Sequence, residues 1–296
     1  MNYFEEIKNK IIDNEIYCKV KDYSKERNTV NTYYEVGKLI SEAGKTYGEN
    51  IIENYSKKLL LDVGKKYNAR TLRRMRQLYL FFENQKWSPL GTKLSVSHIR
   101  ELFCLKDTNE INYYAMICEK ENISRDKLKQ RIKSKEYERI SESAKIKLIE
   151  NEQPSLPDLV KNPILIKNTN KYDEISEKIL QQVILENIDS FMKELGSGFS
   201  YVGKEYPIKI GNKYNYIDLL LFNYEYNCFV VVELKITKLK KEHIGQIEVY
   251  MNFIDKKLKK VNQDKTIGII ICKKDNEYII EYCSDKRIIS REFELV

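Results

Sequence analysis

Three charged side chains sit where an apolar sequence makes charge costly. Asp218 lies within Tyr216-Ile217-Asp218-Leu219-Leu220-Leu221-Phe222, and Glu233 and Lys235 close the run Cys228-Phe229-Val230-Val231-Val232-Glu233-Leu234-Lys235. The second run is continuously hydrophobic and rich in β-branched residues, which reads as a strand buried on both faces. The residues Asn223-Tyr224-Glu225-Tyr226-Asn227 between the two runs read as a hairpin turn. Side chains alternate along a strand, so Phe229, Val231, Glu233 and Lys235 share one face. Antiparallel pairing about the turn brings Asp218 roughly level with Glu233. Two carboxylates and an ammonium at a sheet end suit Mg²⁺, whose hard oxygen coordination leaves positions for water and a phosphate. A phosphodiester would fill those positions. The metal would polarise the phosphoryl oxygen and lower the pKa of an attacking water, and Lys235 would orient that water or stabilise the developing charge. The competing reading is a structural salt bridge from Lys235 to Asp218 or Glu233 at a frayed strand end, although desolvation makes buried pairs poor stabilisers.

Downstream, Gln246 and Tyr250 stand four apart and hence on one face of a helix. Alone they suit an ordinary amphipathic helix; following the charged strand, they are placed to hold a DNA strand or the water. The elements that must position these residues follow from periodicity. Residues 175–195 read as a helix ended by Gly196 and Gly198, and residues 199–210 as the first strand. After the hairpin come a helix over about 240–256, a buried strand at 266–272 and an edge strand at 278–282. That order is αβββαβ.

The N-terminal half reads differently. Apolar positions recur at three and four in Ile7, Ile11, Ile12 and in Val36, Leu39, Ile40, with breaks at Gly44, Gly48 and Ser88-Pro89-Leu90-Gly91. Ser97 and Ser124 are expected helix starts, for helices over about 97–106 and 124–150. The stretch from Gln153-Pro154-Ser155-Leu156-Pro157 to Asn170 holds three of the five prolines and reads as a linker. The expected class is therefore α+β in two domains: an all-helical N-terminal domain over 1–150, a linker over 151–170 and an α/β domain over 171–296.

At 296 residues the chain is long enough for two cores. It has no apolar run of about 18 residues, and Met1-Asn2-Tyr3-Phe4-Glu5-Glu6 is acidic and amphipathic, so neither a membrane span nor a signal peptide is expected and the cytoplasm is the default location. The six cysteines form no Cys-x-x-Cys pair, which favours reduced core thiols over disulfides or zinc. With His98 and His243 as the two histidines, histidine-based metal or triad chemistry is disfavoured; His243 lies near Gln246, but a surface role suits it better. The net charge of +8 is uneven. Residues 171–296 hold 20 basic and 20 acidic residues, leaving 32 against 24 in residues 1–170. The densest basic stretch, Lys65 to Tyr79, carries Arg70, Arg73, Arg74 and Arg76 on a helix that Asn68 is placed to cap. After Leu59-Leu60-Leu61, it allows a helix-turn-helix-like arrangement suited to phosphate contacts. A solvated basic face is the plain alternative.

The series of helix, Asp-bearing strand, Glu-Leu-Lys strand and Gln-x-x-x-Tyr helix resembles the PD-(D/E)XK nuclease superfamily, in its variant with that helix. More narrowly, Phe191-Met192-Lys193-Glu194-Leu195-Gly196-Ser197-Gly198-Phe199, Tyr216-Ile217-Asp218-Leu219-Leu220 and Gly245-Gln246 resemble the YhcG family of bacterial proteins. In the N-terminal half, the stretch Asn31 to Ile40, Tyr47-Gly48 and Leu94-Ser95-Val96-Ser97-His98 look like that family's recurring segments. The resemblance implies a restriction-endonuclease-like fold with Asp218 and Glu233 as metal ligands, Leu234 lending its main-chain carbonyl, and Lys235 as the catalytic lysine. It implies Mg²⁺ as cofactor, with Mn²⁺ able to substitute, DNA as partner, and hydrolysis of DNA phosphodiester bonds in bacterial DNA processing or defence. Homo-oligomerisation stays open, and no membrane partner is implied. One departure stands out: superfamily members often carry an acid on the first helix, and here the best-aligned positions are Gln181 and Gln182. Glu177, one turn earlier, and Glu186 are the candidates to replace it. The alternative is a non-catalytic DNA-binding or complex-forming protein on a vestigial nuclease fold.

Overall fold

The computed structural model describes residues 2–20, 25–47, 50–85, 93–150 and 152–296. The chain divides into two compact units, residues 1–137 and 138–296.

The first unit is helical: α1 (Tyr3–Val20), α2 (Lys25–Tyr47), α3 (Ile51–Asp62), α4 (Ala69–Gln85), α5 (Val96–Leu102), α6 (Thr108–Glu121) and α7 (Arg125–Lys133). Its core draws Ile7 and Ile11 from α1, Val36 and Ile40 from α2, and Leu72 and Met75 from α4, which are the three-and-four spacings of the sequence. Helices α2 and α4 meet at Gly37, where a Cβ would stand 2.1 Å from the Met75 carbonyl oxygen. Only a glycine permits that approach. Gly44, expected as a break, lies inside α2; nothing approaches its Cα face, so the helix runs on at the modest entropic cost of a glycine. The expected breaks at Gly48 and at residues 88–91 lie outside the described residues. Ser124 caps α7 as expected, whereas α5 is capped by Ser95 rather than Ser97, with His98 completing the capping box. The Asn68 side chain accepts the N–H of Thr71 at the start of α4, 3.0 Å away.

The expected single helix over 124–150 is instead α7, α8 (Glu136–Arg139) and α9 (Glu142–Ile149). Residues from 138 onward belong to the second unit because they bond into it. Arg139 donates to the Pro163 carbonyl at 2.8 Å and pairs with Glu194, and its own carbonyl accepts from Asn162 at 2.8 Å. The stretch 151–170, expected as a linker, is likewise built in: it carries α10 (Leu156–Leu159) and β1 (Ile164–Ile166). Three residues are too few to show a period, which is why the strand escaped the sequence reading.

The remaining elements are α11 (Glu177–Glu186), α12 (Ile188–Leu195), β2 (Phe199–Ile210), β3 (Lys213–Asn223), β4 (Cys228–Lys238), α13 (Lys241–Lys257), β5 (Asp264–Lys274), α14 (Glu277–Glu281) and β6 (Ile288–Leu295). The helix expected over 175–195 is broken at Asn187, whose ψ of 37° leaves the helical range. The segment 278–282, expected as an edge strand, forms α14 up to Glu281, with Tyr282 as its C-cap. Its Ile279 and Ile280 pack beside α13, and the place beside β5 is taken by β6, which pairs in parallel from Gly268↔Ile288. Tertiary packing overrides strand propensity there.

The six strands form one sheet in the order β1-β6-β5-β4-β3-β2. Val230, Val232, Leu234, Ile269 and Ile271 face a core shared with α11 and α12, while Val231, Ile270 and Cys272 face one shared with α13. Burial on both faces is what the unbroken apolar runs encoded.

Candidate active site

The ladder between β3 and β4 runs from Asn223↔Cys228 to Leu219↔Val232 and stops. Beyond it β3 continues only with β2, out to Ile210↔Lys213, and β4 continues only with β5. The strands part at Asp218 and Glu233, the pair that counting back from the turn placed level. Side chains replace the ladder at this point. The Asp218 Oδ2 accepts the N–H of Leu234 at 2.8 Å, and the N–H of Asp218 points at Glu233 Oε1 in a long contact of 3.5 Å.

Lys235 lies two residues beyond Glu233, on the same face, with Nζ 3.4 Å from Glu233 Oε2. The same oxygen accepts from Gln246 Nε2 at 3.1 Å, and Gln246 also reaches the Tyr250 hydroxyl at 3.1 Å. One turn of α13 thus buttresses Glu233, which is almost completely buried. Of the two acids considered on the first helix, Glu177 is the one that stands near this group. Its Oε2 stands 3.9 Å from Lys235 Nζ. Gln181 instead donates to the Asp218 carbonyl at 3.0 Å, and Glu186 turns away to Tyr172, Asn170 and Gln182. Five sequence-named residues, Asp218, Glu233, Lys235, Gln246 and Tyr250, therefore meet, and the Leu234 backbone enters through its N–H. His243 stays at the start of α13, where its ring accepts from the Lys240 N–H.

Sequence reading missed Glu205. It lies on β2 directly across from Asp218, between the pairs Lys204↔Leu219 and Tyr206↔Ile217, with an unusual φ of 42°. No pattern in the chain marks it, because its place depends on the strand register.

Burial raises the carboxyl of Glu233 to about 8, and the neighbouring Asp218 charge adds to the rise; Lys235 and the Asp218 N–H oppose it. Burial also raises Asp218, against the opposing bond from Leu234. Two buried acids side by side are destabilised by their own charge. Among the described residues no group of three or more His, Cys, Asp or Glu is gathered as a metal cage. The donor set still fits a hard divalent cation of the Mg²⁺ kind: two adjacent carboxylates, with Asp218 Oδ1 bearing no donor among the described residues, and an ion that keeps water and phosphate as its other ligands. Asp218 and Glu233 would hold it.

In the helical unit the four arginines of α4 do not form one patch. Arg70 and Arg73 are exposed, Arg73 is paired with Glu53, and Arg76 lies partly buried on another side of the helix. Arg74 stands near Arg70 and near Arg100 of α5, whose charges depress its pKa. Arg100, which the sequence reading did not single out, joins Arg70 and Arg74 as a cationic group.

Residues 157–294 match the YhcG PDDEXK nuclease domain family, and residues 12–139 match the DUF1016 N-terminal domain family. The YhcG protein of Escherichia coli (strain K12) is 26% identical over 287 residues, covering 81% of this chain and 76% of that protein. Among solved structures, a repair endonuclease from Pyrococcus abyssi has a TM-score of 0.30 and 20% identity over 43% of this chain. A complex of EndoMS with double-stranded DNA has a TM-score of 0.29, also with 20% identity over 43% of the chain. The matches span 49% and 48% of those two chains.

Proposed function

Because this chain carries a YhcG PDDEXK nuclease domain behind a DUF1016 N-terminal domain, we propose that it is a divalent-metal-dependent nuclease that hydrolyses DNA phosphodiester bonds. The observation that carries the reading is the convergence of Asp218, Glu233, Lys235 and Glu177 where β3 and β4 part. Asp218 and Glu233 would hold Mg²⁺, or Mn²⁺ in its place, which would supply a polarised phosphoryl oxygen and a more acidic water. The protein's own part is positional. Gln246 fixes Glu233 Oε2 toward Lys235, and the Leu234 N–H fixes Asp218. Lys235 brings an ammonium to the same point, where it orients the attacking water or offsets charge on the phosphoryl group. Tyr250 and the Asp218 N–H complete the bracing.

In this reading the helical segment, 1–150 in the sequence division, binds nucleic acid or a partner, with Arg70 and Arg74 on phosphates and Arg73 and Arg76 as weaker contributors. The reading places the protein in the cytoplasm, in DNA processing or defence. Gln181 and Gln182, at the best-aligned first-helix positions, favour the second reading, a non-catalytic DNA-binding or complex-forming protein on a vestigial nuclease fold. One experiment separates them: plasmid and single-stranded DNA are incubated with wild type and Lys235→Ala in Mg²⁺, Mn²⁺ or chelator. Metal-dependent cutting by wild type, reduced at least roughly 100-fold in the variant, is the expected result. If wild type cuts no nucleic acid with either metal, the nuclease reading is wrong.

A further inference from the structure

Past the point where β3 and β4 part, β2 and β3 continue as a two-stranded arm from Tyr206↔Ile217 to Ile210↔Lys213. Its two faces differ. Ile208 and Ile217 point inward and are buried in the α13-side core, with Tyr206 half-buried against it. That packing anchors the arm. Pro207, Lys209, Tyr214 and Tyr216 alternate onto the other face, and all four are exposed, Tyr214 at 62% and Tyr216 at 56%. Lys209 pairs across the arm with Tyr214, its Nζ 5.6 Å from the ring centroid. From residue 204 to 217 the arm carries Lys204, Lys209 and Lys213 against Glu205 alone. The arm leads straight to the catalytic groups along one strand: Tyr216 lies two residues, about 7 Å, from Asp218, and Tyr214 about 13 Å.

Two exposed aromatic rings with Lys209 across from Tyr214 and Lys213 at the tip, on a ribbon leading to a metal-binding pair of acids, form a track for a polyanion with exposed π-faces. Duplex DNA hides its base faces; a single strand offers them, and stacking on aromatic side chains with lysines along the backbone is how unpaired strands are held. Resting on the nuclease reading above, the geometry points to single-stranded DNA as the occupant of this face: the arm holds unpaired nucleotides next to the bond presented to Asp218 and Glu233, so the substrate class is single-stranded DNA or the unpaired segment of a branched one.

The test measures binding of the full chain to a fluorescein-labelled single-stranded oligonucleotide, its duplex and the matching RNA, in chelator so that binding is read without cleavage. Melting temperature and circular dichroism verify each variant's fold. Wild type binds the single strand more tightly than the duplex. Tyr214→Ala and Tyr216→Ala each weaken single-strand binding about tenfold or more while Tyr→Phe restores it, and Lys209→Ala lowers the slope of log K against log salt by about 0.7. Folded alanine variants that bind like wild type, a wild type that prefers the duplex, or one that prefers the RNA would each overturn the assignment. Cleavage with Mg²⁺ is scored separately. If Lys235→Ala alone abolishes cutting while the tyrosine variants bind normally, the arm assignment fails and the nuclease reading stands. If nothing is cut but the tyrosine variants lose the strand, the reverse holds.

Discussion

Asp218 and Glu233 each hold the other's strand: the Asp218 carboxylate takes the N–H of Leu234, next to Glu233, while the Asp218 N–H is directed at the Glu233 carboxylate. The two acids sit where a β-ladder has ended and backbone donors need new partners. They therefore serve the fold and, in the proposed function, the chemistry as well, so a substitution at either is expected to change both.

Glu177 and Glu186 lie on the same helix but in different company, one near Lys235 and the other among Tyr172, Asn170 and Gln182. Glu177→Gln is expected to lower metal-dependent DNA cleavage roughly tenfold with little loss of stability, since the Glu177 end of this 3.9 Å pair is solvent-exposed and contributes little to folding. Glu186→Gln should leave the rate unchanged. Equal rates in both variants would remove Glu177 from the site.

The raised carboxyl of Glu233 gives a pH signature. Its folded pKa of about 8 exceeds its ordinary value of 4.5, so between those values the native state retains a proton that the unfolded chain has lost. Stability of the metal-free protein should then fall as pH rises from about 4.5 to about 8. Melting scans in chelator across that range should slope downward in wild type and more weakly in Glu233→Gln. Metal affinity should climb over the same range, because the ion displaces the proton. Parallel slopes in the two proteins would show that Glu233 is not the group responsible.

Gln246 divides its amide between Glu233 and the Tyr250 hydroxyl. Tyr250→Phe removes the hydroxyl and is expected to lower stability by about 1 kcal/mol, with cleavage reduced only a few-fold. Gln246→Ala should slow cleavage more, since it frees Glu233 Oε2 from the helix. Steady-state cleavage rates with melting curves on both variants would establish the order.

Helix α13 owes its position to Gly268 on β5, where a Cβ would lie 2.5 Å from the Met251 sulfur and 2.9 Å from Ile247 Cδ1. Gly268→Ala should lower stability by about 1–3 kcal/mol through overpacking and, by pushing α13 outward, slow cleavage through Gln246. A variant of wild-type stability and rate would mean that Met251 and Ile247 simply rotate away.

The hairpin was legible because its signal is dense: two long apolar runs, an uninterrupted turn and a register fixed by counting. The charges on it stood out because burial makes charge costly. What escaped was set by contacts between distant segments. Strand β1 is too short to show alternation, and β6, Ile-Ile-Ser-Arg-Glu-Phe-Glu-Leu, is half polar. Tyr278 to Tyr282 has strand-forming residues but no strand beside which to lie. Whether Glu177, Gln181 or Glu186 reaches the acids depends on how α11 meets the sheet, and no spacing within the helix encodes it.

The parting of the sheet also sets an order of assembly. Asp218 and Glu233 lie on strands joined through a four-residue turn, Tyr224 to Asn227, whereas β1 closes the sheet's far edge only by pairing Ile164 with Phe293. Bringing distant segments together costs more chain entropy and is slower than closing a hairpin. The acid pair can thus be drawn together while the outer edge is still open, and what the late β1–β6 pairing adds is endurance: it acts chiefly on how slowly the finished domain comes apart.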